Sequence, residues 1–253
     1  MVDSCTVQFL KRAISIPEGE GAQVKRLFPT SKLENIDPFV LLDEFYAEPP
    51  AGFPEHPHRG FEVVTYMLEG AFVHRDSEGN QATVNEGGVQ RITTGKGIVH
   101  SEMPGAKGMS HGLQLWVNLP SRLKGINPSY QNILAEDLPH KDDEGLSIRT
   151  IVGQGSPVKL QTQVTYMDIK IGKSKIASQK ISPGFNGFAY VLEGRLNLSS
   201  KGSCQSTPVE AHQAAVFNPG VEFSYYSDGK ARFVLITGKP IGEPIKLVGS
   251  FVD

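Results

Sequence analysis

The sequence predicts an all-β protein made of two related domains, and three observations support this. Glycine and proline are frequent, at 27 and 17 of 253 residues, which favours many turns over long helices. Short runs such as FEVVTYMLEG and ARFVLITGK are rich in β-branched and aromatic residues, as strands are. Motifs of the first half also recur in the second half, which indicates duplication of a β-barrel or β-sandwich domain.

The strands of the first half can be followed in chain order. FEVVTYMLEG ends in a Glu-Gly turn, and AFVHRD then leads through the turn DSEGN into QATVNEGG. VQRITT and GLQLWVNLP complete the set, and ARFVLITGK is similar in the second half. A weak helical pattern occurs only around residues 131–137. The predicted elements are therefore strands of five to eight residues joined by glycine-rich turns.

The internal repeat sets the domain count. TYMLEG at residues 65–70 recurs as AYVLEG at residues 189–194, an offset of about 124 residues. LQLWVNLP matches FVLITGKP at nearly the same offset, so that Pro120 corresponds to Pro240. A turn-rich stretch containing NPSY and EDLPHKDDEG separates the two copies. We therefore predict an N-terminal domain at 1–125, a connecting segment at 126–157 and a C-terminal domain at 158–253.

Bulk composition argues against some functional classes. The net charge of −2 and the isoelectric point near 6.4 provide no general attraction to nucleic acid or anionic membranes. No apolar run is long enough to span a bilayer, and MVDSCTVQFLKRAISI lacks the apolar stretch of a signal peptide. Cys5 and Cys204 are isolated, which favours reduced thiols in an intracellular protein. We expect a cytoplasmic location, with the nucleus also open for a eukaryotic chain.

Two short residue pairs predict a metal site. His56 and His58 lie in PEHPHRGFE, and His100 and Glu102 lie in GKGIVHSEMP. Residues two apart on a strand point to the same face, so each pair can direct both side chains to one point. Three imidazoles and one carboxylate suit a divalent transition metal such as iron, manganese, cobalt or nickel, with coordination positions left open.

A second carboxylate fits the same pattern. Glu62 follows the His-x-His pair and has the strand parity of His56 and His58. Periodicity alone therefore does not separate Glu62 from Glu102 as ligand, or as the group that takes a proton from a bound substrate.

The predicted metal residues are not repeated in the second half. Lys180 and Ser182 match the two histidines of the first pair, and Phe223 and Tyr225 match the second pair. These side chains do not form a transition-metal shell, so we expect the C-terminal domain to keep the fold without the site.

Four stretches together carry a family resemblance. IDPFVLLDEF, FPEHPHRGFEVVTYMLEG, GGVQRITTGKGIVHSE and HGLQLWVNLP resemble the pirin family of two-domain cupins. The resemblance implies two tandem cupin barrels, each a double-stranded β-helix or jelly roll. It implies one mononuclear metal in the first barrel, held by His56, His58, His100 and Glu102, and it favours Glu102 over Glu62. Iron is the metal usually linked with such proteins.

The resemblance implies two alternative functions. One is a metal-dependent quercetin 2,3-dioxygenase, which would place a flavonol and dioxygen at the open metal positions, with Glu102 or Glu62 taking a proton. The other is a redox-sensing regulatory module that acts through protein partners. Open coordination positions favour the dioxygenase, because a purely structural site is usually closed.

Several further residues receive expectations from their positions. Phe53, Gln114 and Trp116 are expected at the mouth of the first barrel, as substrate contacts or as structural residues.

Three charged or polar side chains outside these sets are expected to be structural. Arg59 is expected to pair with Asp43 or Glu44 rather than to steer an anionic substrate. His74 and His111 are expected to be hydrogen-bonded polar side chains rather than further ligands.

Overall fold

The computed structural model describes residues 6–105, 108–200 and 205–253, so Cys5 and Cys204 lie outside the described residues. Within these ranges the regular secondary structure is almost entirely strand. The strands are β1 Val7–Arg12, β2 Ile14–Glu18, β3 Ala22–Phe28, β4 Phe39–Ala47, β5 Phe53–His58, β6 Phe61–Glu69, β7 Ala71–Asp76, β8 Gln81–Asn85, β9 Val89–Thr93, β10 Ile98–Pro104, β11 Ser110–Asn118, β12 Ser129–Ile133, β13 His140–Asp143, β14 Leu146–Val152, β15 Val164–Ile171, β16 Ile176–Lys180, β17 Asn186–Ser200, β18 Thr207–Glu210, β19 Gln213–Phe217, β20 Glu222–Tyr226, β21 Ala231–Gly238, β22 Leu247–Val248 and β23 Phe251–Val252.

The few helical residues form two single 3₁₀ turns. These are Ser121–Leu123 and Ala135–Asp137. The weak helical pattern around residues 131–137 corresponds only to the 3₁₀ turn Ala135–Asp137, because residues 131–133 belong to β12, which pairs with β9. None of the helices in the described part of the chain has the length and apolar character needed to cross a membrane.

Two sheets form the barrel of the first half. One has seven strands in the order β12-β9-β6-β11-β4-β3-β2, and the other has four in the order β5-β10-β7-β8. All their pairings are antiparallel. Alternate residues of each strand point into the barrel, because strand side chains alternate between faces.

The second half repeats this arrangement. Its strands follow the order β1-β19-β17-β21-β15-β14-β13, and β16, β20, β17 and β18 form the shorter sheet. The long strand β17 takes part in both sheets of the second barrel. In the first barrel its place is taken by two separate strands, β6 and β7. The N-terminal strand β1 pairs with β19, in the place that β12 takes beside β9.

The two compact units are not contiguous in sequence. One unit contains the segment ending at Ala13, residues 139–156 and residues 163–240; the other contains residues 14–138, 157–162 and 241–253. These units differ at their ends from the domains expected at 1–125 and 158–253. The reason is strand pairing, because β1 joins β19 and the expected connecting segment itself supplies β12, β13 and β14.

A shared glycine turn supports the internal repeat. Gly70 and Gly194 end the two matching motifs and have φ values of +72° and +75°. A Cβ atom at either position would collide with a backbone carbonyl oxygen, that of Met109 or that of Lys230. Only glycine fits this turn in both barrels without strain.

Candidate metal centre

The shorter sheet of the first barrel brings three histidines together. His56 and His58 lie on β5, and His100 lies directly opposite His56 on the paired strand β10. One ring nitrogen from each histidine lies within 4.8 Å of the others. The ring centroids are 4.4 Å apart for His56 and His100 and 4.9 Å apart for His58 and His100. The two short sequence motifs therefore meet, as their spacing predicts.

Two of these rings are oriented by backbone carbonyls. The Nδ1 atom of His56 donates to the carbonyl oxygen of Pro54 at 2.7 Å, and that of His58 donates to the carbonyl oxygen of Ser250 at 3.3 Å. Because a carbonyl only accepts, each ring keeps its lone pair on Nε2. His100 is different, since both of its ring nitrogens are buried without a hydrogen-bond partner.

Burial favours the neutral form of two of these rings, those of His58 and His100. It lowers the pKa of His58 to about 3, with a further contribution from the neighbouring His56. Burial, together with His58 and His56, also places the pKa of His100 well below its ordinary value. Neutral imidazoles offer lone pairs, and a buried cluster with unpaired nitrogens needs a partner. These donors fit a divalent transition metal.

Glu102 lies two residues beyond His100 and is almost completely buried. Its Oε1 atom accepts hydrogen bonds from Thr65 Oγ1 at 3.2 Å and from Gln90 Nε2, and its Oε2 atom accepts one from Gln114 Nε2 at 2.8 Å. The cluster that the described residues form comprises the three histidines without Glu102. Its role as a fourth ligand therefore stays a prediction.

The partners of Glu102 belong to a polar row across the seven-stranded sheet. The row consists of Gln90, Thr65, Gln114, Asp43 and Arg26, each the direct cross-strand neighbour of the next. Each residue occupies an inward-facing position on its own strand, which is why the row faces the β10 carboxylate. This row was not anticipated from the sequence, because it arises from the register of five strands.

Glu62 lies on the other face of β6. Its Oε1 atom accepts a hydrogen bond from Thr93 Oγ1 at 2.7 Å, and its Oε2 atom accepts one from the backbone N–H of Gln161 at 2.8 Å. Phe61 and Val63, its neighbours on β6, belong to the apolar core beside the histidines. The strand parity used for Glu62 fails because the chain leaves β5 at His58 and starts a new strand at Phe61. This position does not support the predicted ligand or catalytic role of Glu62.

A cavity of about 590 Å³ opens beside the histidines. His56, His58 and Glu102 line it, and so do the three predicted contact residues Phe53, Gln114 and Trp116. The indole N–H of Trp116 donates to Gln114 Oε1 at 2.9 Å, so Gln114 connects the aromatic wall to Glu102. The three residues that were expected at the mouth of the barrel therefore line the cavity. Their contacts with a substrate stay a prediction.

The end of the chain supplies another wall. Leu247, Gly249 and Ser250, in and beside the hairpin of β22 and β23, line the cavity. The hairpin lies close to Gly60, whose φ is +89° and where any Cβ would collide with the carbonyl oxygen of Val252. Sequence reasoning missed this wall, because no local pattern links residues about 190 positions apart.

The ion pairs near the cavity differ from those expected. Arg59 pairs with Asp253 at 2.8 Å, instead of the predicted Asp43 or Glu44. Asp43 pairs with Arg26 at 2.6 Å. The sequence did not anticipate that β3 would place Arg26 beside Asp43.

The other two predicted polar histidines each have a carboxylate partner. His111 Nε2 lies 2.9 Å from Glu44 Oε1, and His74 Nε2 lies 2.9 Å from Asp76 Oδ2. Both expectations of a hydrogen-bonded side chain are therefore confirmed.

The corresponding region of the second barrel is apolar. Phe223 and Tyr225 are completely buried in its core, as the repeat predicts for the positions of His100 and Glu102. The strand partner of Phe223 is Gln179. The counterparts of the first pair are therefore Gln179 and Ile181 rather than Lys180 and Ser182, because the repeat offset changes by one residue in this strand.

Fold and site together define a two-domain cupin, or bicupin, whose first barrel carries a buried three-histidine cluster. The Pirin family model matches residues 21–117, and the model for the pirin C-terminal cupin domain matches residues 166–253. The chain belongs to the pirin family.

Relatives span nearly the whole chain. A pirin-like protein of Solanum lycopersicum is 45% identical over 241 residues, covering 93% of this chain and 82% of that protein. Pirin of Homo sapiens is 39% identical over 254 residues, covering 98% and 86%. The crystal structure of a quercetin 2,3-dioxygenase from Acinetobacter baumannii superposes with a TM-score of 0.88 at 31% identity, covering 98% of this chain and 91% of that one.

Proposed function

We propose that this protein is a metal-dependent dioxygenase that cleaves flavonols such as quercetin. One observation carries the proposal: a cluster of three histidines, two of them buried, borders a cavity of about 590 Å³ with an aromatic wall. The similarity to the Acinetobacter baumannii quercetin 2,3-dioxygenase supports the same conclusion. We assign His56, His58, His100 and Glu102 as ligands of one divalent metal, with iron as the first candidate and manganese, cobalt or nickel as alternatives.

The cavity suits a flat and uncharged aromatic substrate. Phe53 and Trp116 provide apolar surface on its walls. Glu18, Glu20 and Glu55 also line it, and their negative charge disfavours an anionic substrate. A polyphenol that loses its proton only after entering therefore fits better than a carboxylic acid.

Glu102 is the residue we assign to proton transfer. A metal at the histidine cluster would lower the pKa of a bound hydroxyl and offer a place for dioxygen. Glu102 borders the same cavity, and Gln90, Thr65 and Gln114 hold its carboxylate in one orientation. This fixed carboxylate is positioned to accept the hydroxyl proton of the substrate.

An oxygen-electrode measurement with quercetin tests the proposal. The protein is stripped of metal and reloaded with iron, manganese, cobalt or nickel in separate samples. We expect oxygen uptake that depends on metal and on quercetin in at least one sample, and none from the stripped protein. His100→Ala should abolish uptake, whereas His111→Ala, which changes a histidine of the same barrel outside the cluster, should retain it.

A flat trace across all four metals would reject flavonol cleavage. The remaining function would then be the regulatory module that acts through protein partners, which predicts a bound metal without oxygen uptake. The cytoplasmic location stays a prediction in either case.

A further inference from the structure

Three unpaired ring nitrogens lie close together in the first barrel. Among the buried side-chain atoms of the described residues, Nδ1 and Nε2 of His100 and Nδ1 of His74 have no hydrogen-bond partner. The two ring centroids are 5.5 Å apart, with their planes inclined by 54°. Buried polar atoms without a partner are costly, so such a pair calls for a physical reason.

Strand register places His74 inside the barrel. It lies on β7 directly opposite Glu102, and Asp76 lies directly opposite His100. Opposite residues of an antiparallel pair point to the same face, so all four side chains face the barrel interior. The ring of His74 also stacks on Tyr130, with centroids 4.4 Å apart and an angle of 13°. His74 is therefore held in place beside the histidine cluster without belonging to it.

Asp76 fixes which nitrogen of His74 carries the proton. His74 Nε2 lies 2.9 Å from Asp76 Oδ2, and both side chains are completely buried. Asp76 is itself held by the turn that follows, since its Oδ1 accepts from the backbone N–H groups of Glu78 at 3.0 Å and Asn80 at 2.9 Å. A neutral His74 that donates through Nε2 keeps an acceptor lone pair on Nδ1.

We propose that His74 is a positioning residue for His100. When one nitrogen of His100 faces the other two histidines, its second nitrogen carries a proton that needs an acceptor. His74 Nδ1 is the neighbouring acceptor, and like both nitrogens of His100 it has no hydrogen-bond partner among the described residues. The resulting series runs from Asp76 through His74 to His100 and sets the orientation and basicity of the ligand, as outer carboxylate and imidazole groups do in metal sites. The inference rests on the proposed metal site.

The second barrel supports this assignment. By strand register, the positions of His74 and Asp76 correspond to Leu198 and Ser200, the partners of Tyr225 and Phe223. Leu198 is part of the apolar core there. Where the ligand positions are aromatic, the supporting histidine and aspartate are replaced as well.

Zinc binding to the full-length protein tests the proposal, because Zn(II) is diamagnetic and needs no turnover. His74→Phe keeps a ring that can stack on Tyr130 but removes the acceptor, and we expect zinc affinity to fall by about 10- to 100-fold in a competition titration. His111→Phe is the matched control, since His111 also stacks on a tyrosine and pairs with a glutamate, and its affinity should be unchanged. His74→Asn restores an acceptor near the Nδ1 position and should recover part of the loss.

Long-range ¹H–¹⁵N spectra of the zinc-loaded protein provide a second readout. In the wild type, one nitrogen of His100 should carry a slowly exchanging proton that is hydrogen-bonded to His74, and this signal should disappear in His74→Phe. If wild-type protein binds zinc but neither affinity nor the His100 signal changes in His74→Phe, the inference is wrong and the metal site stands. If the wild type fails to bind any divalent metal, the proposed function itself fails. Should His74→Phe not fold, the same comparison is made with Asp76→Asn, for which a wild-type affinity and an unchanged signal would overturn the proposal.

Discussion

The two barrels share their strand order but have opposite interiors. In the first barrel the row Gln90, Thr65, Gln114, Asp43 and Arg26 crosses the large sheet. In the second barrel the residues at the corresponding strand positions are Ala215, Ala189, Leu235, Met167 and Thr150. Opposite each row lies a second set of residues, histidines and Glu102 in one barrel, Phe223 and Tyr225 in the other. The same cross-strand register therefore holds a polar centre in the first barrel and an apolar core in the second.

The difference indicates that the fold does not require the polar interior. The interior of the second barrel is a largely apolar cluster, in which the rings of Phe217 and Phe223 stack with centroids 4.4 Å apart. Buried polar groups cost free energy unless each is hydrogen-bonded. In the first barrel the carboxylates and Arg26 are hydrogen-bonded, but both ring nitrogens of His100 are buried without a partner. That cost in stability is typical of a functional site.

The largest expected effect is on metal binding. His100→Ala removes one of three clustered imidazoles, so metal affinity should fall by well over the roughly 100-fold that is typical when a merely supporting residue is lost. Metal content after dialysis, measured by elemental analysis, checks this. The corresponding change in the second barrel, Phe223→Ala, should leave metal content unchanged, and equal loss in both variants would contradict the assignment of the site to one barrel.

The second expected effect is on stability and concerns the opposite barrel. Phe223 is completely buried, so Phe223→Ala should lower the free energy of unfolding by about 3–5 kcal/mol. In metal-free protein, His100→Ala should cost less, because it removes a ring whose nitrogens are unpaired. Urea unfolding of both metal-free variants measures the two losses in the free energy of unfolding. A larger loss for His100→Ala would contradict the idea that Phe223 stabilises its barrel more than His100 stabilises the other.

The third expected effect separates two buried carboxylates of the first barrel. Glu102→Gln should lower metal affinity by more than about 10-fold, because a carboxylate beside the metal carries charge to it, while Glu62→Gln should change affinity by less than about 3-fold. Metal titration of the two variants measures this directly. The reverse order, with Glu62→Gln the more damaging, would restore Glu62 as the ligand that the sequence left open.

The last expected effect depends on pH and concerns the metal-free protein. His58 has a pKa of about 3 in the folded protein, lowered mainly by burial, against an ordinary value of 6.5. The unfolded chain therefore binds a proton that the folded chain does not, and metal-free protein should lose stability as the pH falls from 6.5 towards 3. Urea unfolding at a series of pH values measures the loss. His58→Phe should reduce this dependence and leave the part due to His100, whose pKa is also lowered. An unchanged slope in that variant would remove His58 as a source.

Local sequence signals were sufficient to predict that His56, His58 and His100 come together. The His-x-His and His-x-Glu spacings work within single strands, where alternation fixes the facing side. The repeat likewise identified two similar β domains, because it preserves Gly70 and Gly194 at the same turn. The alternation rule did not apply to Glu62, because it was extended from β5 across the break at residues 59–60 into the separate strand β6.

The sequence by itself determined the all-β class, the duplication, the family and the three histidines. Tertiary structure decided what surrounds them: the polar row that holds Glu102, the Asp76–His74 pair behind His100, and the carbonyl of Ser250 that orients His58. The physical reason is the range of the interactions involved. Strand alternation acts between residues two apart, whereas cross-strand register and chain-end pairing join residues that are distant in sequence and meet only when the barrel closes.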